Sequence, residues 1–335
     1  MGDHKIKEKN MSHLLEVKGL TTAFTGDSGR TVSVDHIDFH VDEGETVCIV
    51  GESGCGKSVT SLSIMGLLSK GGDVIEGKIL FEGQDLLCMK EKALDKIRGN
   101  QMTMIFQDPL TSLNPVFTIG NQITESIRIH MGLSKKEAVQ RAEMLLEKVG
   151  LPDPKRMMKT YPHTLSGGMR QRAMIAMALA CNPKLLIADE PTTALDVTIQ
   201  AQIIELLKEL QKENGMSIIL ITHDIGVVAE MADRVLVMYA GQLIEKAPVK
   251  ELLEDPKHPY TQALFDSVPT IHDRPDRELF SIPGMVPENY DDIVGCRFAK
   301  RCRYCRTECA APQEDYAFGE GHTARCIVSK QEFQS

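Results

Sequence analysis

The sequence predicts an α/β fold built on a mostly parallel sheet, interrupted by a mainly helical insert and followed by a small Cys-rich part. Three observations carry this. Between Leu185 and Tyr239 short apolar runs alternate with helix-like stretches, the pattern of parallel strands with covered faces. The β-branched run Thr46–Val50 leads straight into a glycine-rich stretch, Gly51–Ser58, and then into a helical one, Val59–Leu68. Five of the nine cysteines fall after residue 295.

Residues 13–50 alternate apolar and polar positions around a turn at Thr25–Gly29, which is hairpin patterning. Residues 73–87 read as a further strand pair around Gly77 and Gly83. From about Lys90 to Ala180 the helical period dominates, most clearly in Lys135–Val149. Pro152, Pro154 and Pro162 punctuate the segment after that helix. Strands are then expected at Leu185–Ala188, Ser217–Thr222 and Arg234–Tyr239, with helices at Thr198–Glu213 and Ile225–Ala232. After Pro248 prolines break up the chain. The expected division is a main domain at 13–258, with its helical part at about 100–180, and a second domain at 259–335.

The 335 residues carry 38 basic and 47 acidic side chains, a net charge of -9. Apolar residues at 42% and charged residues at 25% are a globular balance that argues against long disorder. The acidic excess disfavours wholesale nucleic-acid binding, and no Trp with 5% aromatics makes base-stacking platforms a poor fit. No apolar run reaches the ~20 residues that cross a bilayer, and residues 1–17 lack the apolar stretch of a signal peptide. A cytosolic protein is expected, reaching any membrane through partners.

Gly51-Glu-Ser-Gly-Cys-Gly-Lys57-Ser58 fits the pattern of a phosphate-cradling loop between a strand and a helix. Its glycines let backbone N–H groups turn inward, Lys57 reaches the β/γ-phosphates, and Ser58 offers a hydroxyl to Mg²⁺. Leu185–Glu190 is an apolar strand ending in two acids. Asp189 at the tip can hold Mg²⁺, and Glu190, pointing elsewhere, can orient or deprotonate a water attacking the γ-phosphate. The bland alternative is two acids capping a strand at the surface. Leu165-Ser-Gly-Gly-Met-Arg-Gln171 opens a helix whose N-terminus can serve as a second anion site, or can be a simple Ser cap.

The C-terminal spacing is Cys296-x₅-Cys302-x₂-Cys305-x₃-Cys309-x₁₆-Cys326. Four thiolates can wrap a tetrahedral Zn²⁺ or hold a [4Fe–4S] cluster, the alternative being free thiols or one disulfide. Arg297, Lys300, Arg301, Arg303 and Arg306 are expected to surround these thiols, lower their pKa values and offset the charge of a cluster.

Taken together the motifs resemble the ATP-binding cassette (ABC) ATPases. Gly51–Ser58 is similar to their Walker A motif, Leu185–Glu190 to Walker B and Leu165–Gln171 to their signature. Gln107 sits where the family has its Q-loop, Ala194–Asp196 resembles the D-loop, and His223 the switch histidine. The resemblance implies an ABC nucleotide-binding domain with a P-loop core, an N-terminal antiparallel β subdomain and a helical signature subdomain. It implies ATP surrounded by Gly51, Ser53, Gly54, Cys55, Gly56, Lys57, Ser58 and Val59, with Mg²⁺ held by Ser58, Gln107 and Asp189. Glu190 would be the general base and His223 would contact the γ-phosphate, unless it is an ordinary core histidine. Ser166, Gly167 and Gly168 would meet the γ-phosphate of an opposing chain. Phe24 would stack on adenine, or else be a strand core residue.

Ile105–Pro115, His258-Pro-Tyr-Thr261 and Gly295–Cys302 are similar to the ATPase subunits of oligopeptide/dipeptide importers, with nickel importers as close relatives. That likeness implies ATP hydrolysis coupled to import at the cytoplasmic face of a bacterial inner membrane. The implied partners are two membrane permease subunits, a sister ABC ATPase and an extracytoplasmic peptide-binding protein. A nucleic-acid-associated ABC ATPase is the rival of another class. The subfamily tail also implies Cys296, Cys302, Cys309 and Cys326 as [4Fe–4S] ligands, with Zn²⁺ as alternative and Cys305 as a substitute ligand.

Overall fold

A computed structural model describes residues 13–26, 29–108, 112–193, 195–267, 281–287, 290 and 292–333. Strands β1 (Leu15–Gly26) and β2 (Gly29–Val41) form the expected hairpin, with Leu15 opposite Val41 and Gly26 opposite Gly29. β4 (Gly72–Phe81) pairs with the other edge of β1, and β5 (Gln84–Asp85) with β4, so this antiparallel sheet runs β2-β1-β4-β5. Gly83 makes the turn, but Gly77 lies inside β4. There, at φ +98°, an added Cβ would meet the Gly19 carbonyl oxygen at 2.5 Å, so glycine permits close strand approach at an irregular register.

The second sheet has eight strands in the order β11 (Tyr316–Gly319), β12 (His322–Ala324), β10 (Gln242–Pro248), β9 (Arg234–Tyr239), β3 (Thr46–Val50), β8 (Ser217–Ile221), β7 (Leu185–Asp189) and β6 (Met102–Ile105). Five are parallel: β3, β6, β7, β8 and β9. Their residues are almost all buried because both faces are covered, hence their unbroken apolar runs. Alternate side chains serve two cores. Cys48, Val50, Leu186, Ala188, Ile218 and Leu220 face the helices. Val47, Ile49, Leu185, Ile187, Ile219 and Ile221 face the antiparallel sheet. β6 is a strand within the stretch from about Lys90 to Ala180 where the helical period dominates; four residues are too few to show a period of two.

The helices Ile119–Met131, Lys135–Lys148 and Gly167–Ala178 bury Ile123, Ile127, Ala138, Ala142, Leu146 and Met174 against one another. Lys135–Lys148 starts in a full capping box, Ser134 with Glu137. Among the described residues no helix is long and apolar enough to cross a membrane.

The chain after residue 258 joins this architecture. β10 (Gln242–Pro248) runs antiparallel to β9, and β12 (His322–Ala324) pairs with β10, followed by β11 (Tyr316–Gly319). Tyr260, from the helix Pro259–Asp266, packs its ring tilted against Tyr239 and edge-on to Phe298, at centroid distances of 4.7 and 5.4 Å. The division at 258/259 is thus a change of composition, not a break in packing. Glu245, fully buried, anchors the joint. Its carboxylate accepts the backbone N–H of Lys257 at 2.6 Å and of His258 at 2.9 Å, and lies 2.8 Å from His322 Nε2. His258 in turn caps its helix, Nδ1 accepting from the Tyr260 N–H at 3.0 Å.

Candidate functional site

The site grows from the carboxyl ends of the parallel strands, where α/β sheets open a crevice. β3 ends at Val50 and the chain turns through Gly51 into the loop that starts the helix Lys57–Met65. A Cβ at Gly51 would lie 2.1 Å from the Met238 carbonyl oxygen, and one at Gly56 2.7 Å from that of Ser33. Both backbones are left-handed, so only glycine passes here. Lys57 is buried, and its Nζ donates to the carbonyls of Gly51 at 2.7 Å and Glu52 at 3.0 Å, which lays the ammonium across the loop. Cys55 is packed beneath the loop, and burial pushes its thiol pKa up. Ser53, Gly54, Gly56, Lys57, Ser58 and Val59 line one cleft of about 180 Å³ together with Ser33, Gln107 and Glu190.

Asp189 closes β7 and is 4% exposed. Burial raises its pKa, opposed by a hydrogen bond from Ser58. Its Oδ1 is buried without a hydrogen-bond partner, an arrangement that suits a cation beside the Ser58 hydroxyl. Glu190, the next residue, takes a left-handed φ of +46° while its N–H donates to the Ile221 carbonyl at 2.9 Å. That turn swings its carboxylate away from Asp189. Oε2 receives Gln107 Nε2 at 3.0 Å and Thr193 Oγ1 at 2.8 Å, and Oε1 lies 3.5 Å from His223 Nδ1. The tips of β6, β7 and β8 thus deliver Gln107, Glu190 and His223 to one point. The His223 side chain is 67% exposed, which sets aside the core-histidine alternative. Thr193 was missed by sequence reasoning. Its signal was the hydroxyl three residues beyond the acid.

Ser166 caps the helix Gly167–Ala178, accepting the Met169 N–H at 3.4 Å. An added Cβ at Gly168 would meet Ile199 Cγ2 at 2.9 Å. None of Ser166, Gly167 and Gly168 lines the phosphate cleft. Of the expected D-loop, Ala194 lies outside the described residues, while Asp196 caps the helix Val197–Asn214. Phe24, half-buried near the end of β1, packs its ring over Gly72 and does not line the cleft either.

The thiols of Cys296, Cys302, Cys309 and Cys326 are electrostatic neighbours. Cys309 and Cys326 are buried against Val328. Backbone N–H groups point at three of the sulfurs: Phe298 at Cys296, Tyr304 at Cys302 and Arg306 at Cys309, the last at 3.5 Å. Cys305 is exposed, yet its thiol is hydrogen-bonded with that of Cys309 and neighbours Cys302. Burial pushes Cys296 up to about 12 and Cys302 to about 11, the reverse of the lowering expected from the basic residues. The reason is where those cations go. Arg297 reaches Asp35 at 2.5 Å, Arg301 the Glu52 carboxylate at 2.7 Å, Arg303 Asp266 at 3.7 Å and Arg306 Gln331 at 3.0 Å.

Residues 34–193 match the ABC transporter family, and residues 244–309 match the oligopeptide/dipeptide transporter C-terminal region. The chain is 54% identical to the oligopeptide transport ATP-binding protein AppD of Bacillus subtilis, over 96% of this chain and 98% of that one. It is 52% identical to a putative peptide import ATP-binding protein of Brucella ovis, over 94% and 96% of the two chains. Among solved structures, the dimeric ATP-binding cassette MJ0796 in a post-hydrolysis state with ADP and Pi superposes with a TM-score of 0.64 at 29% identity, covering 70% of this chain and 98% of that one. The cbiO1 protein of Clostridium perfringens, part of an ABC transporter complex, gives a TM-score of 0.62 at 30% identity, covering 72% and 91%.

Proposed function

The chain belongs to the ABC transporter ATP-binding proteins, and from that premise we propose that it is the ATP-hydrolysing subunit of a bacterial peptide importer. The observation that carries the reading is the gathering of Gln107, Thr193 and His223 on the Glu190 carboxylate in the same cleft as Lys57. Lys57, Ser58, Val59 and the backbone from Gly51 through Ser53, Gly54, Cys55 and Gly56 grip the phosphates. Ser58, Asp189 and Gln107 would hold Mg²⁺, which supplies charge stabilisation at the β/γ-phosphate oxygens. Glu190 takes a proton from the attacking water, and His223 meets the γ-phosphate edge. Phe24 is assigned to the base. Ser166, Gly167 and Gly168, outside their own chain's cleft, are assigned to the nucleotide of a sister ATPase facing this one.

The accessory region at 259–335 is read as an iron–sulfur module on the cassette at 13–258. Cys296, Cys302, Cys309 and Cys326 would hold a [4Fe–4S] cluster, which supplies a structural staple where apolar side chains are few. The donor set fits: four grouped thiols with N–H groups aimed at sulfur.

The partners are two permease subunits, the sister ATPase and an extracytoplasmic peptide-binding protein, with this chain docked on the cytoplasmic face. Isolating the tagged chain from its native membrane tests this. Permease and binding protein should come with it, and peptide should stimulate ATP hydrolysis by the complex. Recovery with RNA and without membrane proteins would overturn it.

A further inference from the structure

Glu52, the second residue of the phosphate loop, is gripped from the C-terminal part of the chain. The buried Tyr260 hydroxyl accepts its backbone N–H at 2.8 Å. Arg301 lays two nitrogens on its carboxylate, Nη1 to Oε2 at 2.7 Å and Nη2 to Oε1 at 2.9 Å, a bidentate fork. The Arg301 side chain is only 6% exposed. Its Nε donates to the Pro283 carbonyl at 2.8 Å, and its guanidinium carbon lies 5.8 and 5.9 Å from the rings of Tyr239 and Phe298. The third polar group of Glu52, its carbonyl, receives Lys57 Nζ at 3.0 Å. One loop residue therefore meets the phosphate-binding lysine on one side and the C-terminal region on two others.

The charge matters as much as the geometry. A carboxylate inside a loop that must accept phosphate is repulsive to its ligand. The fork from Arg301 cancels that charge and fixes the loop backbone without occupying the cleft. Neither Arg301 nor Tyr260 lines the cleft, so each acts through Glu52.

We propose that Arg301 and Tyr260 are positioning residues for the phosphate loop, which make nucleotide affinity depend on docking of the C-terminal region. The inference rests on the ATP-site reading above. Because Arg301 precedes Cys302, any change that loosens that cysteine's segment acts on the same contact.

The test uses the full chain and a fluorescent ATP analogue, with steady-state phosphate release and apo thermal unfolding measured alongside. Arg301→Met should weaken nucleotide binding and raise KM roughly five- to twentyfold, with kcat within about twofold. Arg301→Lys should recover part of the loss. Adding Glu52→Gln to Arg301→Met should restore affinity, since it removes the carboxylate left without its counter-charge. Tyr260→Phe, which keeps the ring, should weaken binding about threefold. Wild-type affinity in Arg301→Met and Tyr260→Phe, or no rescue by Glu52→Gln, overturns the proposal. If Arg301→Met fails to fold, Arg301→Lys and Tyr260→Phe decide it, and wild-type affinity in both overturns it. A wild-type chain that binds no ATP overturns the site reading instead.

Discussion

Gln107 at the end of β6 donates a 3.0 Å hydrogen bond to the carboxylate of Glu190 at the end of β7. Two adjacent parallel strands thereby bring an amide and an acid to one point. Glu190 holds this place at a left-handed φ of +46°, a conformation that costs a non-glycine residue of order 1 kcal/mol and is kept because its N–H and carboxylate are both tied.

Replacing Glu190 with Gln keeps the shape of the side chain but removes the carboxylate proposed as the base. Turnover should fall by about 10²-fold or more while the chain still binds ATP. Phosphate release and equilibrium ATP binding check the two halves separately. Undiminished phosphate release would remove Glu190 from its role.

The four thiols assigned to the cluster and the exposed Cys305 should behave differently. Protein purified without oxygen should carry about one cluster per chain. Cys309→Ser should lose iron and sulfide, and Cys305→Ser should keep both, as read by iron and sulfide assay and visible absorption. A colourless wild-type protein containing zinc would refute the iron assignment.

His258 sets an acid limit on stability. Burial pulls its pKa down to about 4 from 6.5, with Arg325 adding to the effect and Glu245 opposing it. In the unfolded chain the ring protonates near its ordinary value, while the folded chain holds it neutral. Its contribution is therefore complete above about 6.5 and drains away as pH falls toward about 4, at up to ~1.4 kcal/mol per pH unit. Denaturant unfolding at pH 7 and pH 5 should show the loss, and His258→Gln should flatten it. An equal pH slope in wild type and variant would show that some other group is responsible.

Legibility tracked distance along the chain. The loop at Lys57 and the acid pair at Asp189–Glu190 were readable because each sits in one continuous strand-to-turn segment. Their convergence with Gln107 and His223 came only through motif order. The grip of Arg301 on Glu52 spans 249 residues and leaves no local pattern. Arg297 and Arg301 misled for the same reason. Beside the cysteines in sequence they suggest charge near sulfur, but each long side chain leaves for a carboxylate on the cassette. β6 and the β11–β12 pair were too short for periodicity to register, and only their pairing partners make them strands.

The pairing of β12 with β10 has a consequence for any attempt to trim the protein to residues 13–258. Ending the chain after residue 258 would strip the partner from Glu245 and Lys246 and uncover the ring of Tyr239. The remainder would display a bare strand margin and an oily face, the ingredients of clumping between copies. A minimal version of this motor should therefore keep its last residues, even where no chemistry is asked of them.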